Sequence, residues 1–365
     1  MALKAGIVGL PNVGKSTLFN ALTAAGAEAA NYPFCTIDPN VGVVEVPDAR
    51  LKQLNDLIET KKVIPAVVEI VDIAGLVRGA SKGEGLGNKF LGNIRATDAI
   101  LHVVRCFDND DIEHVDGDVD PLRDIDTIET ELLLADLETA LKRQTRYSKL
   151  AKSGDKEAKF HHGVATRLVE ALEAGTPIRT LEFTEDEWKS VVETQLITAK
   201  KVLYVCNVDE EAAATGNAHS EKVAAFAAEQ GAGVVVLSGA IESEIAEMDD
   251  EEDRAMFLEE LGLTESGLAK MAREVYALLG YQTYFTAGEK EIRAWTVKEG
   301  ATAPQAAGVI HSDFERGFIK AEVYTIPDLE EFRTEAGLKA AGKLRIEGKS
   351  YVVQDGDVMH FRFNV

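Results

Sequence analysis

Leu3-Lys-Ala-Gly-Ile-Val8 runs directly into Gly9-Leu-Pro-Asn12-Val13-Gly14-Lys15-Ser16-Thr17, and a helix-like stretch, Leu18 to Ala25, follows. Strand, GxxxxGK[ST] and helix together form the context in which that pattern binds phosphate. The glycines let the backbone turn, so that successive N–H groups from Asn12 to Thr17 point inward at phosphate oxygens. The helix then aims its positive end at the same place. Lys15 would reach the β- and γ-phosphates, and the Ser16 hydroxyl would ligate Mg²⁺. A glycine-rich turn before an ordinary helix is the bland alternative, and the segments downstream weigh against it.

Asn31-Tyr-Pro-Phe-Cys-Thr36-Ile-Asp-Pro-Asn40 reads as a loop, punctuated by Pro and Asn. Alone, Thr36 would be a plain loop residue. After the first helix of a phosphate-binding unit it can give its hydroxyl to Mg²⁺, in a segment that orders with the triphosphate. Val67-Val-Glu-Ile-Val-Asp72-Ile-Ala-Gly75 is an apolar strand ending in DxxG. Asp72 sits where a carboxylate supports Mg²⁺ through water, and Gly75 leaves room for its N–H to meet the γ-phosphate. The glycine-rich run from Gly75 to Gly92 reads as a second switch segment. Together these parts make a switch NTPase.

Two departures from an ordinary GTPase are informative. Leu76 follows Gly75, where a Ras-like enzyme carries the glutamine that orients the attacking water. A leucine cannot hydrogen-bond water, so another group must do so or hydrolysis waits on a partner. The second departure follows the apolar strand Lys201-Val-Leu-Tyr-Val-Cys206. It is Asn207-Val208-Asp-Glu210 rather than Asn-Lys-x-Asp. Glu210 is one methylene longer than the aspartate that grips guanine, and losing such a contact is worth ~1–3 kcal/mol. Guanine selection should weaken and adenine becomes acceptable, with Asn207 and neighbouring backbone reading the base. Ser238-Gly239 follows the strand Gly233 to Leu237 and takes the position of the last base-binding loop; a plain turn fits it nearly as well.

The order GLPNVGKST, NYPFCTIDPNVG, DIAGLVRGASKGEGLGN, NVDE and LSGAIE resembles the YchF family, ribosome-associated ATPases of the Obg-related translation factors. The resemblance covers essentially the whole chain. It implies ATP preferred over GTP, binding to the 70S ribosome through its large subunit, and a three-part layout. It also implies a subset in which a hydrophobic residue such as Leu76 replaces the catalytic glutamine. A histidine of the acidic loop after the fourth apolar strand then becomes the candidate for orienting water. That residue is His114; a surface histidine in a flexible acidic loop is the plainer reading.

The chain has 365 residues and a net charge of −23, which sets limits. The length allows two or three domains with a substantial core. No run approaches the ~20 apolar residues of a membrane span, and the first strand begins at once. A cytoplasmic protein with no membrane partner is the expectation. Cys35, Cys106 and Cys206 are far apart and have no metal spacing, which suits a reducing compartment. Cys106 and Cys206 end apolar strands and read as inert core thiols, whereas Cys35 lies in the switch loop. Acidic runs flank residues 140–202, where 12 basic side chains outnumber 9 acidic ones. That segment is where RNA phosphates would be attracted, although a solvated face is the simpler reading.

The same segment reads as an insertion. Ile128 to Leu150 is one amphipathic helix, with Leu133, Leu137, Leu141 and Leu150 near helical spacing. Ala158 to Ala174 is a second, with Phe160, Val164, Leu168 and Leu172 on one stripe. A helix over Glu265 to Leu279 closes the nucleotide-binding part. Beyond it come short β-rich runs: Thr283-Tyr-Phe-Thr, Ala294-Trp-Thr-Val, Ala321-Glu-Val-Tyr and Ser350-Tyr-Val-Val. That end resembles the TGS domain, a β-grasp module, which raises RNA or protein docking there.

The expected fold is therefore an α/β P-loop NTPase, G-domain-like with a mostly parallel sheet, an inserted α-helical hairpin and a C-terminal β-grasp domain. Residues 1–127 and 200–279 form the nucleotide-binding domain, 128–199 the hairpin and 280–365 the TGS unit. The expected activity is Mg²⁺-dependent hydrolysis of ATP by a ribosome-bound switch. Two rivals stay open: a guanine-specific Obg-like translation GTPase, and a ribosome- or RNA-binding regulator whose hydrolysis is incidental.

Overall fold

A computed structural model describes residues 3–25, 40–73, 86–115, 117–248 and 250–364. The chain begins β1 (Leu3–Val8), α1 (Lys15–Ala25), β2 (Val41–Glu45), α2 (Ala49–Leu57), β3 (Val63–Ile64) and β4 (Val67–Asp72). Then come α3 (Leu86–Arg95), β5 (Ala99–Arg105), α4 (Pro121–Ala151), α5 (Lys156–Glu173), α6 (Glu185–Thr194) and β6 (Lys201–Asn207). The nucleotide-binding part closes with α7 (Ala218–Glu229), β7 (Gly233–Leu237), α8 (Gly239–Glu247), α9 (Glu251–Glu260) and α10 (Gly267–Leu278).

The first sheet has the order β2-β4-β1-β5-β6-β7. Only β2 runs antiparallel to its neighbour. Every residue of β5 is buried, as a parallel strand covered on both faces requires. Adjacent strands β1 and β5 release their following loops at the same edge, where an open α/β sheet holds its ligand.

The insertion differs from expectation in three ways. First, α4 starts at Pro121 rather than Ile128: Asp120 caps it by accepting from Leu122 N and Arg123 N, and Pro121 fits the first turn. Its early residues Ile125, Ile128 and Leu132 belong to the core of the nucleotide-binding sheet. Second, the leucine stripe is only half used. Leu133, Val164, Leu168 and Leu172 are buried with one another, whereas Leu141, Leu150 and Phe160 are exposed at the far end. Third, α6 joins the pair through Val191, making three helices rather than a bare hairpin.

Buried polar bonds tie α4 to later segments of the same insertion. The Asp136 carboxylate accepts from Ile197 N (2.9 Å), Thr198 N (2.7 Å) and Thr198 Oγ1 (2.7 Å). Burial pushes its pKa up, and the three donors oppose that. Arg179 pairs with Glu129 at 2.7 Å beneath β5 and β6. His102 on β5 is pushed down to about 3 by burial and by the Arg179 charge, so it is neutral.

The remaining elements are β8 (Tyr281–Ala287), β9 (Ile292–Lys298), α11 (Ala303–Ile310), α12 (Ser312–Arg316) and β10 (Phe318–Tyr324). They are followed by α13 (Ile326–Phe332), α14 (Glu335–Ala340), β11 (Arg345–Glu347) and β12 (Val358–Phe363). The second sheet has the order β11-β10-β12-β8-β9-β3, so its edge strand comes from the N-terminal part. The run at Ser350–Val353 forms no strand; Val352 makes a single bridge to Thr302. One face of this sheet, through Phe285, Ile292 and Ala294, continues the main core around Leu54 and Val275. The other face packs Tyr284, Trp295 and Phe361 on Ala303, Ala306 and Ala307 of α11. Arg50 on α2 adds a clasp, bonding Asp48 and, at 2.7 Å, Asp355. No helix among the described residues is long and apolar enough to cross a membrane.

Candidate nucleotide site

The loop from Gly9 to Gly14 leaves β1 and feeds α1, whose first turn carries no acidic side chain to oppose an anion. Gly14 has φ +90°, and a Cβ there would lie 2.1 Å from Asn207 Nδ2. Glycine is therefore required twice over, by backbone conformation and by space. Asn12 is also left-handed, at φ +64°, and its Nδ2 donates to Glu113 O at 3.1 Å.

The Asn207 side chain is held by protein groups at both ends of its amide. Its Nδ2 donates to Val13 O and its Oδ1 accepts from Gly239 N, both at 2.9 Å. It is a buried strut that ties the phosphate loop to Ser238-Gly239, with one donor and one acceptor committed to the protein. Val208 is buried and its N–H donates to Leu237 O at 2.9 Å. Glu210 is exposed, and Asp209 Oδ1 accepts from Ala212 N, fixing the turn.

These pieces enclose a cavity of about 1140 Å³. Asn12, Gly14, Lys15, Ser16 and Thr17 line it, with Asn207, Val208, Glu210, Ser238 and Gly239. Val13 is buried and reaches the site through the backbone oxygen that Asn207 holds. Lys15 Nζ is paired with the Asp72 carboxylate. Asp72 does not line the cavity itself and meets it through that pair. Thr36, Gly75, Leu76 and Cys35 lie outside the described residues.

Ser16 and Asp72 offer oxygen donors, one neutral and one anionic, a set that suits a hard divalent cation such as Mg²⁺. No group of three or more His, Cys, Asp and Glu among the described residues could hold a metal unaided. Such an ion would need phosphate oxygens and water to complete its shell.

His114 is neither at the surface nor on the cavity wall. It is 5% exposed, and its Nε2 lies 2.9 Å from Oδ2 of the buried Asp124, on the first turn of α4. Its neighbour Glu113 is the residue that touches the phosphate loop. Cys106 and Cys206 are both buried, as expected. The adjacent Cys206 thiol and burial push the Cys106 thiol up, which keeps it protonated.

One wall of the cavity has no counterpart among the sequence motifs. Phe107, Asp108, Asn109 and Ile112, in the loop after β5, line it together with Asn207 to Glu211. The sequence carried one signal: Arg105 closes the strand Ala99-Ile-Leu-His-Val-Val-Arg105, apolar but for His102. A charge at the end of a fully buried strand needs a partner, and here it is this loop.

Comparisons with known proteins bear on the family of the chain. A family model described as a 50S ribosome-binding GTPase matches residues 4–135. A second, for the C-terminal region of YchF GTPases and described as a protein of unknown function, matches residues 281–364. A "Ribosome-binding ATPase YchF" of Bacillus subtilis is 60% identical, with all of each chain covered. One of Escherichia coli O157:H7 is 54% identical over the same full extent. The solved YchF GTPase of Schizosaccharomyces pombe superimposes with a TM-score of 0.88 at 39% identity, covering 99% of this chain and 97% of that one. A phosphate loop braced by Asn207, a mixed α/β fold and full-length identity of this size lead to one conclusion: the chain belongs to the YchF family.

Proposed function

We propose that this chain is an ATPase that prefers ATP to GTP, requires Mg²⁺, and uses its nucleotide state to govern binding to the large subunit of the 70S ribosome. The observation that carries the reading is the site around Asn207. Val208 and Glu210 stand in the same cavity as the phosphate loop, where a guanine-specific site carries lysine and aspartate. The relatives named ribosome-binding ATPases support it. The match described as a GTPase ends at residue 135, before the base-reading residues begin, and so does not speak for guanine.

Gly9 to Thr17 cradle the phosphates, and Lys15 leaves Asp72 to meet the β- and γ-oxygens. Ser16 and Thr36 would hold Mg²⁺ with Asp72 behind them, and Gly75 would present its N–H to the γ-phosphate. When bound, the ion neutralises charge developing on the transferred group. His114 orients the attacking water in place of the glutamine that Leu76 replaces, which requires it to part from Asp124. Asn207 holds the pocket's walls together while the backbone at Val208, Glu210, Ser238 and Gly239 meets the adenine. Residues 1–127 and 200–279 act as the nucleotide-binding domain. The insertion at 128–199 and a TGS-like unit at 280–365 are the surfaces offered to ribosomal RNA or protein, in the cytoplasm.

Calorimetric titration of the purified chain with ATP and with GTP, both with Mg²⁺, tests the assignment. Tighter ATP binding is expected. Equal or tighter GTP binding would return the chain to the guanine-specific class.

A further inference from the structure

Arg105 is 2% exposed and is among the largest fully buried side chains in the molecule. Among the described residues it forms no ion pair. Its guanidinium instead donates to three backbone oxygens of the loop that follows: Phe107 (3.2 Å), Asn109 (3.1 Å) and Ile112 (2.9 Å). The charge also sits 4.6 Å from the centroid of the Phe107 ring. A planar fork with five donors can reach carbonyls two, four and seven residues ahead at once; a lysine ammonium cannot match that geometry.

The consequence follows from where those residues lie. With its carbonyls drawn toward Arg105, the loop presents Phe107, Asp108, Asn109 and Ile112 to the nucleotide cavity. Both ends of the loop are tied to the site as well. Cys106 N donates to Asn207 O at 2.8 Å, and Glu113 O accepts from Asn12 Nδ2. A single guanidinium thus sets a wall that joins the base-reading strand to the phosphate loop.

We infer that Arg105 is a positioning residue for nucleotide binding and for the choice of purine, acting through the Phe107–Ile112 wall without touching the nucleotide. The inference rests on the cavity being the nucleotide site. Removing the fork leaves three carbonyls free to turn, so the wall loosens around any base that enters.

The test is titration of the full chain with ATP and GTP, each with Mg²⁺. The proteins are wild type, Arg105→Met, Arg105→Lys and Asp136→Ala, the last a destabilised control whose lost bonds lie at the insertion. Arg105→Met should raise the Kd for ATP about tenfold or more, as expected when charge-assisted bonds that shape a site are lost. The ratio of GTP to ATP Kd should move toward one. Arg105→Lys should recover part of the affinity and of the ratio. Asp136→Ala should lower Tm and leave both Kd values alone. Unchanged affinity in Arg105→Met, or weakening of both nucleotides with their ratio intact, would overturn the inference. If Arg105→Met does not fold, Arg105→Lys decides, and wild-type affinity and ratio in it are the overturning result. A wild-type protein that binds neither nucleotide would instead overturn the assignment of the cavity, and this inference with it.

Discussion

The inserted helices and the C-terminal sheet are held in place by opposite chemistry. The insertion's own segments are held together by directional buried groups, Asp136 with three donors and Arg179 with Glu129. The C-terminal sheet is held by an apolar face that merges into the main core, with Arg50 as a partly exposed clasp. Directional buried bonds fail when either partner is removed, because the survivor stays buried and unpaired. Apolar contact weakens in proportion to what is cut away. The first junction should therefore be brittle to single changes and the second tolerant of them.

The largest effect should come from Arg179→Met, which strands Glu129 in the interior and should cost about 3–5 kcal/mol. Thermal unfolding by calorimetry measures it. Arg179→Met with Glu129→Leu should recover most of the loss, since no charge is then left unpaired. A cost below about 1 kcal/mol for the single change would break the comparison.

Leu54→Ala, at the other junction, removes a fully buried side chain from α2. About 2–4 kcal/mol is expected from the lost transfer energy and the cavity. Chemical denaturation should show an unchanged slope and a lower midpoint.

Arg50→Ala should be the mildest, about 1 kcal/mol, because the clasp is partly in water. It also carries a pH signature. Burial pushes the Asp355 carboxyl up, but bonds from Arg50 and from Thr283 N outweigh that and leave it below the usual carboxylate value. A carboxylate lowered in the folded state stabilises above its unfolded pKa, and that stability is lost as pH falls through the lowered value. The difference between wild type and Arg50→Ala should thus shrink below pH ~4, read from unfolding midpoints across an acid series. A difference that persisted there would mean that Arg50 acts by packing over Phe285, whose ring centroid is 5.1 Å from its guanidinium.

What was legible in the sequence was what is local. β1 and β7 match their apolar runs to the residue, because a buried strand writes itself as a continuous stretch bounded by turns. The phosphate loop was legible because its spacing is set by the anion it meets. The failures were non-local. Helical period shows that Leu141, Leu150 and Phe160 share a stripe but not where the covering helix stops, so their exposure could not be read. β3 is two residues long and owes its existence to Ile292 and Arg293. The burial of His114 depends on Asp124, which is helical only because α4 begins at Pro121 rather than Ile128. Asn207 shows the same limit within the site: its motif marks it for the base, but only the fold reveals that Val13 and Gly239 claim its amide.

The borrowed strand β3 bears on how the molecule is made. Val63 is synthesised early, yet its partner Ile292 comes far later, and β12, which completes that sheet, later still. The nucleotide-binding sheet is complete at Leu237, so it can form while translation continues. The apolar side of α2 and α10 must meanwhile wait uncovered for its sheet. Synthesis of the second sheet, rather than emergence of the phosphate loop, is then what makes this fold whole, and any product stalled before β12 carries an exposed edge and an exposed core.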